Sequence, residues 1–295
     1  MEGTALLLGI DGGGTGCRAR LSDAEGRVLG EGTGGPANIR FGVEEGFAAA
    51  REAATQCLAG AGLDDRHLAR IVACLGLAGA SEPGDLATAQ GQAHPFRDAL
   101  ITTDAHIACI GAHGGRDGAV IIIGTGSIGW AVLGGRQYRV GGWGFPLSDE
   151  GSGAWLGCEA LRRVLWAYDG RLAWTALLKD AFARFDNDPH RIVSWMTEAK
   201  PRDFGECAPL VVEHAARGDP VGAELMRCAG AYIDRIATRL IALGADRLSL
   251  VGGLAPHVGR WLGEQTARRL VSPEGDALDG ALQLARSRAR SLGLI

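Results

Sequence analysis

One kind of unit opens the chain and returns in its second half, and it narrows the folds open to the whole. Leu6-Leu7-Leu8-Gly9-Ile10-Asp11-Gly12-Gly13-Gly14-Thr15-Gly16-Cys17-Arg18-Ala19-Arg20 reads as an apolar strand, a tight glycine turn and a second strand. About 113 residues later the order repeats: Ala119–Ile123 is a continuous apolar strand, Gly124-Thr125-Gly126-Ser127 a glycine turn, and Ile128–Leu133 a return strand. Between the two, Val28–Gly32 reads as a third strand, 43–59 as an alanine-rich amphipathic helix, Arg70–Gly76 as a buried strand, Glu82–Ala93 as a helix, Ala99–Thr103 as a strand, and a short helix runs through Ala112. After the second hairpin, Gly134-Gly135 turns into Tyr138–Val140, a helical block fills 151–244, Arg247–Val251 is one more strand, and the tail from Asp276 is helical with a basic Arg286/Arg288/Arg290 face. Alternating strands and helices predict an α/β fold with mixed sheets flanked by helices, and two successive halves predict two lobes around a cleft.

Composition excludes several classes. The 295 residues suit two ordinary domains, and 46% hydrophobic residues suffice for a substantial core. A formal charge of −4 without a basic run argues against nucleic acid or an anionic membrane as partner. Met1-Glu2-Gly3-Thr4 has neither the basic n-region nor the cleavage site of a signal peptide, and no apolar run approaches a membrane span, so a cytoplasmic protein is expected. Cysteines 17, 57, 74, 109, 158, 207 and 228 lie at least 17 residues apart, which gives no C-x-x-C pair and predicts reduced, mostly buried thiols. Lys179 and Lys200 are the sole lysines among 30 basic residues, so a P-loop G-K-[ST] is impossible. The seven histidines show no metal spacing.

Asp11, Asp104, Gly124–Ser127 and Gly252 all fall at expected strand ends, where ligands of such sheets sit. At the first hairpin, Gly12, Gly13 and Gly14 allow φ > 0 and close approach, Thr15 adds a hydroxyl, and Asp11 suits a hydrated Mg²⁺ on a triphosphate. A plain flexible turn is the other reading. Gly124, Thr125, Gly126 and Ser127 form a second phosphate clamp or, again, a turn. Asp104 is either the N-cap of the following helix or a base that orients a hydroxyl during phosphoryl transfer. In Gly141–Gly153, Trp143 offers a flat face to a sugar ring, while Asp149 or Ser152 caps the next helix. Gly252 and Gly253 permit approach of a flat group such as adenine.

Taken in order, "GIDGGGT", "TTDA", "GTGS", "GGWGFPLSDEGSG" and the Val251–Pro256 turn resemble the actin-like ATPase superfamily over essentially the whole chain. More narrowly they resemble the amino-sugar kinases, N-acetylglucosamine kinase and bacterial glucosamine kinase, of the BadF/BadG/BcrA/BcrD-type ATPase family. The resemblance implies two ribonuclease-H-like lobes, 1–116 with a tail helix 279–295, and 117–278, with ATP in the interlobe cleft. It implies that Asp11 helps hold Mg²⁺, that Gly12–Thr15 and Gly124–Ser127 clamp phosphates, that Gly252 and Gly253 lie at the adenosine, that Asp104 is the catalytic base, and that Asn38, Asp104, Trp143 and Asp149 meet the sugar. Relatives are often homodimers. The implied reaction moves the γ-phosphoryl of ATP to the 6-hydroxyl of glucosamine or N-acetylglucosamine. Ser148 stands where many relatives have glycine; Trp143 looks like the N-acetylglucosamine kinases, whereas Ser148-Asp149, "CRAR", "PANI" and "PRDFGE" look like the glucosamine kinases. Two other readings come from the same superfamily. One is an ATPase activator of a 2-hydroxyacyl-CoA dehydratase, with Cys109 and Cys158 the cysteines nearest to suitable places for an iron–sulfur cluster; the other is a non-catalytic sugar sensor.

Overall fold

A computed structural model describes residues 5–80 and 82–295. Met1–Thr4, on which the absence of a leader was read, and Ser81 lie outside them. The chain divides into two compact units. The first takes residues up to Gly118 with Gly134–Gln137 and Pro273–Ile295; the second takes Ala119–Leu133 and Tyr138–Ser272.

Five strands form the sheet of the first unit: β1 (Leu6–Gly12), β2 (Cys17–Ser22), β3 (Val28–Gly34), β4 (Ile71–Leu77) and β5 (Asp98–Thr103), in the order β3-β2-β1-β4-β5. β2 runs antiparallel to both β1 and β3, while β1, β4 and β5 are parallel. Its helices are α1 (Val43–Gly60), α2 (Pro83–Gln90), α3 (Asp104–Ala112) and, from the far end of the chain, α12 (Ala277–Ser291). Side chains alternate across a strand, so β1 is apolar from Leu6 to Ile10 because both of its faces are covered there. Leu6, Leu8 and Ile10 join a core with Ala50, Ala53, Ala54 and Cys57 of α1. Leu7, on the other face, joins Ile107 of α3 and Ala281, Ala285 and Ala289 of α12. Each such leucine contributes about 1.5–3 kcal/mol of burial.

The tail helix is held by absent side chains. A Cβ on Gly111 of α3 would stand 1.9 Å from the Asp276 carbonyl, and one on Gly280 of α12 would stand 2.0 Å from the Ile107 carbonyl. The two helices therefore meet backbone to backbone. Asp276 caps α12 in a reciprocal pair with Asp279, and Arg20 of β2 reaches both carboxylates, at 3.3 and 2.7 Å. On the arginine face of α12, Arg288 pairs with Asp98 at 2.7 Å.

In the second unit β6 (Gly118–Ile123), β7 (Ser127–Leu133), β8 (Arg136–Gly141) and β9 (Leu248–Val251) take the order β8-β7-β6-β9. This repeats β3-β2-β1-β4, and β6 runs parallel to β9 as β1 does to β4. The helical block resolves into α4 (Gly153–Tyr168), α5 (Ala176–Ala183), α6 (Pro189–Met196), α7 (Pro201–Gly205), α8 (Ala208–Ala216) and α9 (Pro220–Ala242); α10 (Ala255–Val258) and α11 (Glu264–Ala267) follow β9. Ile121 and Ile123 of β6 pack with Leu156 and Val164 of α4 and Ile233 of α9. Among the described residues no helix is long and apolar enough to cross a membrane.

Candidate active site

Parallel pairing fixes the geometry of the first unit. Asp11 lies opposite Gly76, Gly12 opposite Leu77, and Thr102 and Thr103 continue that row on β5. Asp11 and Asp104 therefore stand at the same, carboxyl-terminal edge of three neighbouring strands. The turn between β1 and β2 is closed by the Gly13 amide on the Gly16 carbonyl at 2.9 Å, and the Ala37 amide bonds the Gly13 carbonyl at 3.0 Å. Gly14 and Thr15 are exposed at its tip.

One expectation needs correction here. Gly12, Gly13 and Gly14 do not adopt positive φ. Gly12 is needed for space, since a Cβ there would meet the side chains of Leu77 at 2.8 Å and Ala37 at 2.9 Å. Asn38 sits beside this turn; its Oδ1 accepts the Arg40 amide at 3.1 Å, and a Cβ on Gly79 would crowd that oxygen at 2.6 Å.

Asp104 is not the N-cap. Thr103 takes that role, its hydroxyl accepting the His106 amide at 2.9 Å. Asp104 is instead the first helical residue, and its carboxylate accepts the Ala105 amide at 2.9 Å. Burial lifts the Asp104 carboxyl to about 6; the amide of Ala105 opposes that shift and the negative charge of Asp11 adds to it. A carboxylate raised towards neutral pH and facing a second acid is the arrangement of a proton acceptor. Just behind it, Thr102 Oγ1 and His106 Nδ1 are 2.8 Å apart and buried.

The partner of Asp11 is a residue that no motif marks. Arg18 stands directly across from it in the β1–β2 register and places a guanidinium nitrogen 2.6 Å from Asp11 Oδ2. Strand alternation was the available signal, since Arg18 and Arg20 share the face opposite Cys17 and Ala19. Among the described residues no group of three or more His, Cys, Asp or Glu could hold a metal ion. Asp11, partly exposed at the turn, offers the one-carboxylate support that suits Mg²⁺, an ion that keeps its waters and leans on phosphate oxygens.

In the second unit the other half of the expected residues gathers at the ends of β6 and β9. The Gly124 amide bonds the Gly126 carbonyl at 2.9 Å, and the turn docks on the start of α4 through Gly153 to Gly124 at 2.8 Å and Ala154 to Thr125 at 3.0 Å. Thr125 is exposed, whereas the Ser127 hydroxyl is directed inward and donates to the Glu150 carbonyl at 2.8 Å. Gly252 needs glycine twice over: its φ is 98°, and a Cβ would lie 2.5 Å from the Ile123 carbonyl. Around Gly253 there is open space.

Ser152, not Asp149, caps α4, accepting the Trp155 amide at 3.2 Å. Asp149 instead holds a left-handed backbone at φ 66° and turns its carboxylate back to the amides of Ser127, Gly144 and Phe145. Burial raises that carboxyl above its usual range and the three amides oppose the shift. Trp143 is 64% exposed.

The strand–glycine turn–strand unit present in both sheets, with the Asp11 carboxylate at the end of the first, defines a phosphate-handling α/β protein of the ATPase type. Residues 8–285 match the model of the BadF/BadG/BcrA/BcrD ATPase family, and the chain belongs to that family. It is 41% identical to the glucosamine kinase of Vibrio cholerae over 94% of this chain and 95% of that protein. It is 28% identical to the N-acetyl-D-glucosamine kinase of Dictyostelium discoideum over 82% and 81%. Among solved structures it resembles a Chromobacterium violaceum protein provisionally described as an N-acetylglucosamine kinase, at TM-score 0.89 and 35% identity, over 96% of this chain and 99% of that one. Cys109 is fully buried, with its thiol directed to the Gly118 carbonyl at 3.4 Å, so it offers no surface ligand for a cluster.

Proposed function

We propose that the chain is an ATP-dependent kinase that phosphorylates the 6-hydroxyl of an amino sugar, with glucosamine as the preferred substrate. The observation that carries this reading is Asp104, a half-buried carboxyl raised to about 6 at the same strand edge as Asp11. Asp104 orients the sugar hydroxyl and accepts its proton as the bond to phosphorus forms. The transition state is loose, so placement and charge neutralisation matter more than base strength.

In this reading Asp11 supports Mg²⁺, which supplies charge neutralisation on the phosphates when bound. The Gly12–Thr15 turn of the first unit and the Gly124–Ser127 turn of the second offer amides and the Thr15 and Thr125 hydroxyls to phosphate oxygens. Gly252 and Gly253 border the adenosine, and Asn38, Trp143 and Asp149 meet the sugar. The units act as two ATPase-like lobes, the first completed by the tail helix. The enzyme is cytoplasmic and acts on small molecules rather than nucleic acid or membrane, as a homodimer. Identity with the Vibrio cholerae enzyme across nearly the whole chain supports glucosamine over its acetylated form.

The test is a coupled ADP-release assay with glucosamine, N-acetylglucosamine, glucose and N-acetylmannosamine side by side. Glucosamine is expected to give the highest kcat/KM. Absence of turnover with every amino sugar would refute the proposal.

A further inference from the structure

Arg139 of β8 is bound up with the loop that follows it. Its Nε donates to the Gly141 carbonyl at 3.1 Å, and a terminal nitrogen donates to the Gly142 carbonyl. The guanidinium carbon lies 3.9 Å from the centre of the Trp143 ring. Gly141 and Gly142 are both left-handed, at φ 69° and 70°, and a Cβ on Gly142 would collide with Ile128 at 2.6 Å. Two consecutive left-handed residues turn their carbonyls inward, and one planar fork satisfies both while stacking on the ring beyond them. Trp143 is 64% exposed, so little else in the second unit packs against its indole.

We infer that Arg139 is a positioning residue for sugar binding: its guanidinium fixes the double-glycine turn and thereby sets the angle at which Trp143 presents its ring. The inference rests on the reading that Trp143 meets the sugar. Arg139 acts through Trp143 and need not touch the substrate. A lysine keeps the charge over the ring but is a point donor, unable to hold two carbonyls and stack at once.

The experiment measures KM for glucosamine, KM for ATP and kcat in Arg139→Ala, Arg139→Lys, Trp143→Ala and the Arg139→Ala/Trp143→Ala double variant. Arg139→Ala is expected to raise the glucosamine KM about five- to tenfold, the scale of a lost cation–π contact plus misplacement of the ring, with kcat and the ATP KM within about twofold. Arg139→Lys should resemble Arg139→Ala more than the parent. The double variant should have no higher KM than Trp143→Ala alone, because the two residues act as one device. Acrylamide quenching of the Trp143 emission, isolated by difference against Trp143→Phe, should rise in Arg139→Ala.

Additive effects in the double variant, full rescue by lysine, or equal changes in kcat and both KM values would overturn the inference. If Trp143→Ala raises the sugar KM and Arg139→Ala does not, the positioning role fails alone. If Trp143→Ala leaves the sugar KM unchanged, the sugar role of Trp143 fails and this inference with it. Should Arg139→Ala not fold, Arg139→Lys carries the test, through its glucosamine KM and through acrylamide quenching of Trp143 measured in that variant.

Discussion

Replacing Asp104 with asparagine separates its chemistry from its cost to the fold. Asparagine preserves shape and can still accept the Ala105 amide, which the carboxylate does at 2.9 Å. What disappears is a charge that burial disfavours, the carboxyl standing at about 6 in the folded chain. A lift of that size holds about 3 kcal/mol against the ionised form. The sign follows from linkage: a carboxyl raised on folding binds more protons folded than unfolded between about pH 4 and pH 6, so stability falls as pH rises through that window and the loss is complete above it. Asp104→Asn escapes the loss. Its Tm should match the parent near pH 4 and exceed it by roughly 6–12 °C above pH 7. Turnover should fall about 10²–10⁴-fold while ATP still binds, as for loss of a general base. Scanning calorimetry across pH, with a coupled assay and an ATP titration, reads all three. A Tm difference that does not change with pH, or turnover within about tenfold of the parent, would refute the reasoning.

Further outcomes follow from the same contacts. The acid limb of kcat/KM for the sugar should fall near pH 6, and a profile flat down to pH 5 would separate Asp104 from the chemistry. Gly111→Ala drives a methyl to within 1.9 Å of the Asp276 carbonyl and should cost about 1–3 kcal/mol, seen as a lowered Tm; an unchanged Tm would mean that α12 is not seated on α3 as described. Gly126→Ala places a Cβ 2.7 Å from Asp149 Oδ2, so kcat/KM for the sugar should fall about tenfold or more; an unaltered value would show that Asp149 is free to shift at no cost.

Much of the fold was legible because its signals are local. β4 is seven consecutive buried residues, Ile71–Leu77, and could hardly be read as anything but a central strand. The two glycine hairpins announce themselves by composition. What was not legible depends on partners distant in sequence or on choices between chemically equivalent neighbours. Thr103 and Asp104 are both good caps, and the sequence does not say which one turns back. Gly12 looks like a residue chosen for its dihedral freedom and is in fact chosen for the room that Leu77 and Ala37 leave it. Asp149 occupies a left-handed backbone that favours glycine, held there by amides from three residues that no local pattern connects. Arg18 and Arg139 act through cross-strand register and a tertiary turn, so each reads along the chain as one more surface arginine.

The central claim is phosphoryl transfer from ATP to the 6-hydroxyl of an amino sugar, and the direct measurement is nuclear magnetic resonance of the product formed from glucosamine, ATP and Mg²⁺. The account predicts a single phosphate monoester on the 6-carbon, formed in step with ADP and absent with Asp104→Ala. Phosphate on the anomeric carbon, or ATP hydrolysed to inorganic phosphate with the sugar unchanged, would contradict it.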